Sequence, residues 1–232
     1  MSDKAAKKAE KSINNSSKPV LGLATGKTFT GFYKKLVEKH NKKKISFSNI
    51  TTFNLDEYVG LPSDHPESFH SYMENNLFKD VKIPNQNYHI PNGTAENLKK
   101  ECEEYEIKIK NAGGINTQFL GIGENGHIGY NEPGSPHDSR TRVVKLTEET
   151  QKNKKKYFES RKVPEKAITM GIGTILEADQ IFLLASGEEK AEAVKKTVEG
   201  PITKDIPSSA LQKHDNCTLI IDEEASTYLP KT

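Results

Sequence analysis

The chain has 232 residues, which suffice for one sizeable α/β domain with its own core. Its 34 basic and 32 acidic residues leave a net charge of +2, and almost all of the basic residues are lysine. A nucleic-acid-binding or membrane-bound protein is not indicated, because the chain offers neither a strong positive field nor many planar guanidinium groups. Two distant cysteines and the lack of a long apolar run favour a reducing, cytoplasmic setting.

Residues 1–18 are polar and rich in lysine, with a weak apolar stripe at helical spacing. Residues 14–19 break this pattern, so the segment predicts one frayed surface helix. No linker divides the rest of the chain. We therefore expect residues 19–232 to form a single domain.

The segment Val20–Leu23 predicts a short buried strand that turns at residues 24–28 into an amphipathic helix. The first N–H groups of such a helix attract an anion, and this turn adds the hydroxyls of Thr25 and Thr28 and the charge of Lys27 beside Gly26. The turn therefore predicts a phosphate site. The alternative is that Thr25 only caps the helix.

The same turn resembles part of a P-loop, whose rule is G-x-x-x-x-G-K-[ST]. Here Gly22 and Gly26 are separated by three residues instead of four. Asp222, directly after the apolar run Cys217–Ile221, is where such a protein would carry its metal-binding aspartate. Both halves of the pattern are weak, so a nucleotide hydrolase remains a distant alternative.

Asp56 and Glu57 follow a strand that we predict from about residue 47 to residue 53. A carboxylate just past the carboxyl end of a strand is well placed to act as a general base. The alternative for Asp56 is a cap on the next turn. Helices are predicted at residues 69–78 and 94–111.

The loop at residues 119–133 carries the densest set of polar groups. A buried strand at residues 118–121 opens into a glycine-rich segment with Asn125, His127 and Glu132 within eight positions. This pattern is typical of a ligand site at the carboxyl end of a strand, although a tight turn with capping side chains is the alternative. The dinucleotide fingerprint G-x-G-x-x-G also occurs here, but no helix can begin at its last glycine, because Gly129 and Pro133 follow.

The remaining elements alternate between strands and helices. We predict strands at residues 142–146, 168–172, 181–185 and 217–221, a helix at residues 147–158, and a helix after residue 187 with Lys190 in its first turn. This alternation predicts an α/β fold of three layers, with a Rossmann-like, doubly wound, mostly parallel sheet in a single domain. The histidines have no spacing typical of a metal site.

Five stretches of the chain resemble the glucosamine-6-phosphate deaminase (glucosamine-6-phosphate isomerase) family. They run in order at residues 22–28, 52–61, 65–68, 121–133 and 139–142. The resemblance implies conversion of glucosamine 6-phosphate and water to fructose 6-phosphate and ammonia in amino sugar catabolism. It implies no metal and no cofactor.

The resemblance also implies roles for individual residues. Asp56 matches the proton acceptor for enolisation, His127 matches the group that opens the sugar ring, and Asn125 and Glu132 match its partners. The residues matching phosphate-binding positions are Thr25, Gly26, Lys27, Thr28, Lys156 and Lys190.

Three departures from the family pattern bear on activity. Asn125 stands where some members have aspartate, so we expect Glu132 to be the chief partner of His127. Lys156 replaces an arginine that grips phosphate, and Lys27, where glycine is usual, is a candidate compensation. The family strand expected before Val20 is missing, which predicts either an exposed sheet edge or a gap.

Other expectations concern regulation, movement and assembly. Val144 replaces a basic residue of the allosteric site, so we expect no activation by N-acetylglucosamine 6-phosphate. Residues 147–166 match a mobile lid. A monomer or dimer is favoured over a larger homo-oligomer. A sugar-phosphate lactonase or isomerase of the same fold, or a non-catalytic sugar-phosphate sensor, remains the alternative function.

Overall fold

The structure, a computed structural model, describes residues 1–155, 158 and 163–230, with the backbone alone at residues 153 and 154. The strands are β1 (Val20–Leu23), β2 (Thr51–Asn54), β3 (Asp56–Tyr58), β4 (Tyr88–His89), β5 (Thr117–Gly121), β6 (Arg142–Lys145), β7 (Lys166–Thr169), β8 (Gln180–Ala185) and β9 (Cys217–Ile221). The helices are α1 (Ser2–Asn14), α2 (Lys27–Asn41), α3 (Phe69–Met73), α4 (Lys79–Val81), α5 (Leu98–Asn111), α6 (Glu148–Lys154), α7 (Ile172–Leu176) and α8 (Ala191–Glu199). None of these helices is long and apolar enough to cross a lipid bilayer.

Six strands form the central sheet in the order β4-β2-β1-β5-β8-β9, and every neighbouring pair is parallel. The predicted α/β class and the mainly parallel sheet are therefore confirmed. From β1 the chain extends the sheet outwards through β2 and β4, and it then returns to β5 and extends the other side. The reversal between β1 and β5 is the point at which parallel sheets most often bind ligands.

Helices cover the sheet because successive side chains of a strand point to opposite faces. On one face the ring of Phe32, from α2, lies 4.8 Å from that of Phe119 on β5. On the other face the ring of Tyr105, from α5, lies 5.7 Å from that of Phe53 on β2. Every residue of β1 is buried. The apolar runs of the central strands therefore reflect burial on both faces.

The lysine-rich helix α1 is a packed element of the fold and not the frayed helix that its composition suggests. Its small apolar stripe is almost completely buried in the main core, at Ala5, Ala6, Ala9 and Ile13. Glu10 forms an ion pair with Lys39 of α2, and the hydroxyl of Ser12 is hydrogen-bonded to that of Thr117. Alanine side chains are small and allow two helices to approach closely. A helix with few large apolar residues can therefore still pack tightly against the core.

A second, three-stranded antiparallel sheet, β3-β7-β6, was not predicted from the sequence. The predicted strand at residues 47–53 is β2, which begins only at Thr51, and Asp56 already belongs to β3. The apolar run at residues 168–172 is divided between β7 and the start of α7. The pairing of Asp56 with Thr169 joins the two distant segments.

The segment predicted as one helix at residues 69–78 contains α3 followed by a π-helical turn, Glu74–Phe78. The helix predicted at residues 147–158 is α6, which spans Glu148–Lys154. Lys156 and residues 157 and 159–162 lie outside the described residues, so the lid at 147–166 stays a prediction. In the described part of the chain no strand precedes β1, and β9 forms one edge of the central sheet.

The burial of α1 can be tested by placing the same charge on its two faces. Ala9→Glu puts a carboxylate at a site with 0% exposure, and we expect it to lower the free energy of unfolding by about 2–4 kcal/mol. Lys4→Glu changes an exposed position of the same helix and should alter stability by less than about 0.5 kcal/mol. Urea unfolding measures both, and equal effects of the two variants would contradict the packing of α1.

Candidate active site

A cavity of about 390 Å³ opens at the carboxyl ends of β1 and β5, where the strand order reverses. Its size is within the usual range for small-molecule sites. The predicted site residues that line it are Thr25, Gly26, Lys27, Thr28, Asp56, Asn125, His127 and Lys190. Four segments that are distant in sequence thus meet in one cavity.

The predicted phosphate turn leads from β1 directly into α2. Gly26 has a φ of 108°, a conformation that L side chains rarely adopt, and it immediately precedes the helix. The hydroxyl of Tyr33 donates to the carbonyl of Ala24, and that of Tyr72 donates to the carbonyl of Gly26 at 2.8 Å. The turn is therefore held rigidly with the N-terminus of α2 at the cavity, an arrangement that favours an anion.

Lys190 adds a cation from a second loop. It ends a 3₁₀ turn directly before α8, and its Nζ lies 3.9 Å from Glu124 Oε1. The carboxylate of Asp222 accepts hydrogen bonds from the backbone N–H groups of Gly187 and Ala225. Asp222 thus stabilises the loop that carries Lys190. This structural role explains an aspartate directly after β9 without the metal-binding function that it would have in a P-loop protein.

Asp56 is 7% exposed and lies on β3, beside the loop that follows β5. That loop passes close to it at Gly129, whose φ is 56°. A Cβ on Gly129 would lie 2.9 Å from Thr169 Oγ1 and 3.6 Å from Asp56 Oδ2. Glycine at this position therefore allows the backbone to lie beside the carboxylate of Asp56.

Glu57, the neighbour of Asp56, has a structural role. Its carboxylate accepts backbone hydrogen bonds from Tyr58, Phe69 and His70 at 2.8–3.0 Å. Burial raises the pKa of Glu57, and these three hydrogen bonds only partly oppose that effect. Of the two adjacent acids, Asp56 lines the cavity and Glu57 fastens α3 to β3.

His127, Asn125 and Glu132 form one hydrogen-bonded network. His127 Nδ1 lies 2.7 Å from Asn125 Oδ1, and Asn125 Nδ2 donates to Glu132 Oε2 at 2.7 Å. The direct distance from His127 Nδ1 to Glu132 Oε2 is 3.5 Å. Glu132 is therefore the charged partner of His127, and the amide oxygen of Asn125 is an additional, nearer partner of Nδ1.

The direction of the hydrogen bonds in this network determines which ring nitrogen of His127 carries the proton. An ionised Glu132 only accepts hydrogen bonds, so the Asn125 amide turns its NH₂ towards Glu132 and its oxygen towards His127. His127 Nδ1 must then carry a proton, which leaves Nε2 as the acceptor in the neutral ring. Asparagine thus transmits the orientation of a carboxylate to an imidazole without being ionised itself.

Glu132 is held in its ionised form. Burial alone would raise its pKa, but the hydrogen bond and charge of His127, together with hydrogen bonds from Thr150 and Asn125, lower the pKa to about 2. The donor Thr150 belongs to α6, and its Oγ1 lies 2.7 Å from Glu132 Oε1. The carboxylate therefore stays charged over the whole neutral range.

Sequence reasoning missed several cavity residues. Thr150 and Glu149 reach the cavity from α6, Glu124 and Glu189 lie around Lys190, and Phe69 forms part of the wall. No motif marks them, because each is brought there by a different element. Lys156 lies outside the described residues, and among the residues that are described no group of three His, Cys, Asp or Glu side chains is arranged to hold a metal ion.

The fold and the cavity define a class of α/β protein in which a rigid anion-binding turn lies beside a carboxylate and a histidine network. A profile of the family "Glucosamine-6-phosphate isomerases/6-phosphogluconolactonase" matches residues 1–220, and the chain belongs to this family.

Individual relatives agree with this assignment. The chain is 51% identical to a glucosamine-6-phosphate deaminase of Thermoanaerobacter sp. (strain X514), over 99% of this chain and 91% of the relative. It is 53% identical to a glucosamine-6-phosphate deaminase of Rhodopirellula baltica, over 91% of this chain and 85% of the relative. A solved structure of a monomeric glucosamine-6-phosphate deaminase superposes with a TM-score of 0.95 at 48% identity, covering 97% of this chain and 94% of that protein.

The ionisation of Glu132 predicts a specific dependence of stability on pH. Because its pKa falls from 4.5 to about 2 on folding, the ionised group contributes stability above about pH 4.5 that is lost as the pH falls towards 2. At 1.36 kcal/mol per unit, the wild type should lose roughly 2 kcal/mol more than Glu132→Gln between about pH 5 and pH 3.

Urea unfolding at the two pH values measures this difference. Glu149→Gln is the matched control, because Glu149 is an exposed acid of the same cavity and should follow the wild type. Parallel losses in the wild type and Glu132→Gln would contradict an ionised, buried Glu132.

Proposed function

We propose that this protein acts as a glucosamine-6-phosphate deaminase, which converts glucosamine 6-phosphate and water to fructose 6-phosphate and ammonia. The observation that carries the proposal is the presence of Asp56, the Asn125–His127–Glu132 network and the phosphate turn around one cavity. The names of relatives that are 51–53% identical support the same activity.

Ring opening is assigned to His127. The substrate ring opens when the anomeric hydroxyl loses a proton and the ring oxygen gains one, which requires a group that can both accept and donate a proton. With Nδ1–H directed to Asn125, the other nitrogen, Nε2, can take the hydroxyl proton and return it to the ring oxygen. The ionised Glu132 stabilises the imidazolium that exists between these two transfers.

Isomerisation and deamination are assigned to Asp56. In the open-chain form this carboxylate removes the proton from C2 and a proton is delivered to C1, so that the C2 amine becomes an imine. Addition of water to the imine then releases ammonia and leaves the ketone of fructose 6-phosphate. The place of Asp56 in the cavity wall, beside the backbone of Gly129, supports this role.

Phosphate binding is assigned to Thr25, Gly26, Lys27 and Thr28, with Lys190 from the second loop and Lys156 from the segment after α6. The binding energy of the phosphate is remote from the reacting carbons and can position them for reaction. This set contains three lysines and no arginine. We therefore expect the phosphate to be bound by compact ammonium charges and not by bidentate guanidinium contacts.

The finer features of the fold follow the same proposal. The strand order β4-β2-β1-β5-β8-β9 supports a three-layer, Rossmann-like, doubly wound domain at residues 19–232, with α1 packed beside it. We also propose that α6, which contributes Glu149 and Thr150 to the cavity wall, belongs to a lid over the site, and that the protein works in the cytoplasm. A monomer is supported by the solved deaminase at 48% identity, which is described as monomeric.

The first test is ammonia release from glucosamine 6-phosphate. We expect turnover by the wild type and a loss of about 10²–10⁴-fold in kcat for Asp56→Asn, because the variant keeps the shape of the base but not its charge. Asp64→Asn, at an exposed position of the following loop, is the matched control and should retain full activity. Hydrolysis of 6-phosphogluconolactone without ammonia release would favour a lactonase, and binding of the sugar phosphate without turnover would favour a sensor.

The contribution of Lys27 can be measured separately. Lys27 is an exposed cavity residue, so Lys27→Gly should raise KM for the sugar phosphate by about two- to fivefold with little change in kcat. Lys27→Arg keeps the charge and serves as the control. Because an exposed charge is screened by salt, the effect on KM should shrink as the ionic strength rises. An unchanged KM for Lys27→Gly at low salt would contradict the role.

A further inference from the structure

The carboxylate of Glu132 accepts hydrogen bonds from two separate elements of the structure. On one side Asn125 Nδ2 donates to Oε2, within the loop that carries His127. On the other side the hydroxyl of Thr150 donates to Oε1 at 2.7 Å from helix α6, which begins 16 residues after Glu132 at Glu148. Thr150 is only 8% exposed. The orientation of the network is therefore fixed partly by a different element of the structure.

A second threonine fixes the direction of the Thr150 hydroxyl. The side chain of Thr147 caps α6 by accepting from the backbone N–H of Thr150, and its own hydroxyl donates to Thr150 Oγ1 at 3.0 Å. A hydroxyl has one proton to donate. Since Thr150 Oγ1 already accepts from Thr147, its proton is committed to Glu132.

We propose that Thr150 is a positioning residue for His127. Its hydroxyl fixes Glu132, Glu132 fixes the amide of Asn125, and that amide holds His127 with its proton on Nδ1. The consequence for turnover rests on the proposed function. The consequence for the proton on His127 can be measured without any activity.

The physical reason is that the two ends of an amide have nearly the same shape, as do the two oxygens of a carboxylate. Only their hydrogen-bond partners decide which end points where. Without the donor at Oε1, Glu132 can rotate towards another partner, and the amide of Asn125 loses one of the two contacts that define its orientation. The other contact, from the backbone N–H of His127 to Asn125 Oδ1, is then the main one that opposes a reversed amide. A reversed amide would turn its NH₂ towards His127 and require an unprotonated Nδ1. The proton would then move to Nε2, the nitrogen that must be free to accept a proton from the sugar.

The direct test is the tautomer of His127, read from long-range ¹H–¹⁵N correlation spectra of the labelled protein, with the His127 signals assigned by His127→Gln. We expect the wild type to be predominantly Nδ1–H. Thr150→Val, which keeps the shape and removes the hydroxyl, should raise the ratio of Nε2–H to Nδ1–H by about three- to tenfold. Thr150→Ser restores the hydroxyl and should resemble the wild type.

Steady-state kinetics provide the second measurement. Thr150→Val should lower kcat by about tenfold and leave KM within about twofold, because the phosphate turn is untouched, whereas Thr150→Ser should stay within about threefold of the wild type. Gln151→Ala is the matched structural control. It removes the hydrogen bond from Gln151 to the carbonyl of Leu146, which anchors α6, without a contact to Glu132.

Three results would overturn the proposal. One is an unchanged tautomer ratio in Thr150→Val. Another is an equal change in Gln151→Ala, which would mean that any loosening of α6 has this effect. The third is a raised KM with unchanged kcat, which would make Thr150 a contact of the substrate. If the wild type releases no ammonia, the proposed function fails, and the tautomer measurement still decides the role of Thr150.

Discussion

The site depends on the parallel pairing of β1 with β5. After β1 the chain continues to β2 on one side of this pair, and after β5 it continues to β8 on the other side. No crossover therefore covers the carboxyl ends of β1 and β5. The turn after β1 then faces the loop after β5, and the cavity lies between them. The central strands are buried on both faces, so their register, and with it the relative height of the two loops, is strongly fixed.

The small antiparallel sheet completes the cavity. Asp56 is part of it through its pairing with Thr169, and Thr169 Oγ1 in turn accepts from the backbone N–H of Tyr130 in the loop after β5. Asn131 donates to the carbonyls of Ile128 and Met170. Asp56 and the loop of the histidine network are therefore fixed against the same strand, β7, although they belong to segments more than sixty residues apart.

A buried carboxylate organises the histidine network. Burial of Glu132 is unfavourable for its charged form, and the donors around it reverse that preference. The charge defines the direction of every hydrogen bond up to His127, so an asparagine suffices at position 125. The network is also where α6 meets the loop at residues 119–133, which links the geometry of Asn125, His127 and Glu132 to the segment after β6.

The sequence by itself determined the local features: the apolar runs of β1, β5, β8 and β9, the glycine turn before α2, and the grouping of Asn125, His127 and Glu132, because periodicity and turn chemistry act over a few neighbouring residues. Only the tertiary structure decided that the alanine stripe of α1 is core, that Asp56 and not Glu57 faces the cavity, and that Thr150 reaches Glu132. These outcomes depend on contacts between elements that are far apart in the chain, and a local pattern of residue types carries no information on which distant group will satisfy a buried polar atom.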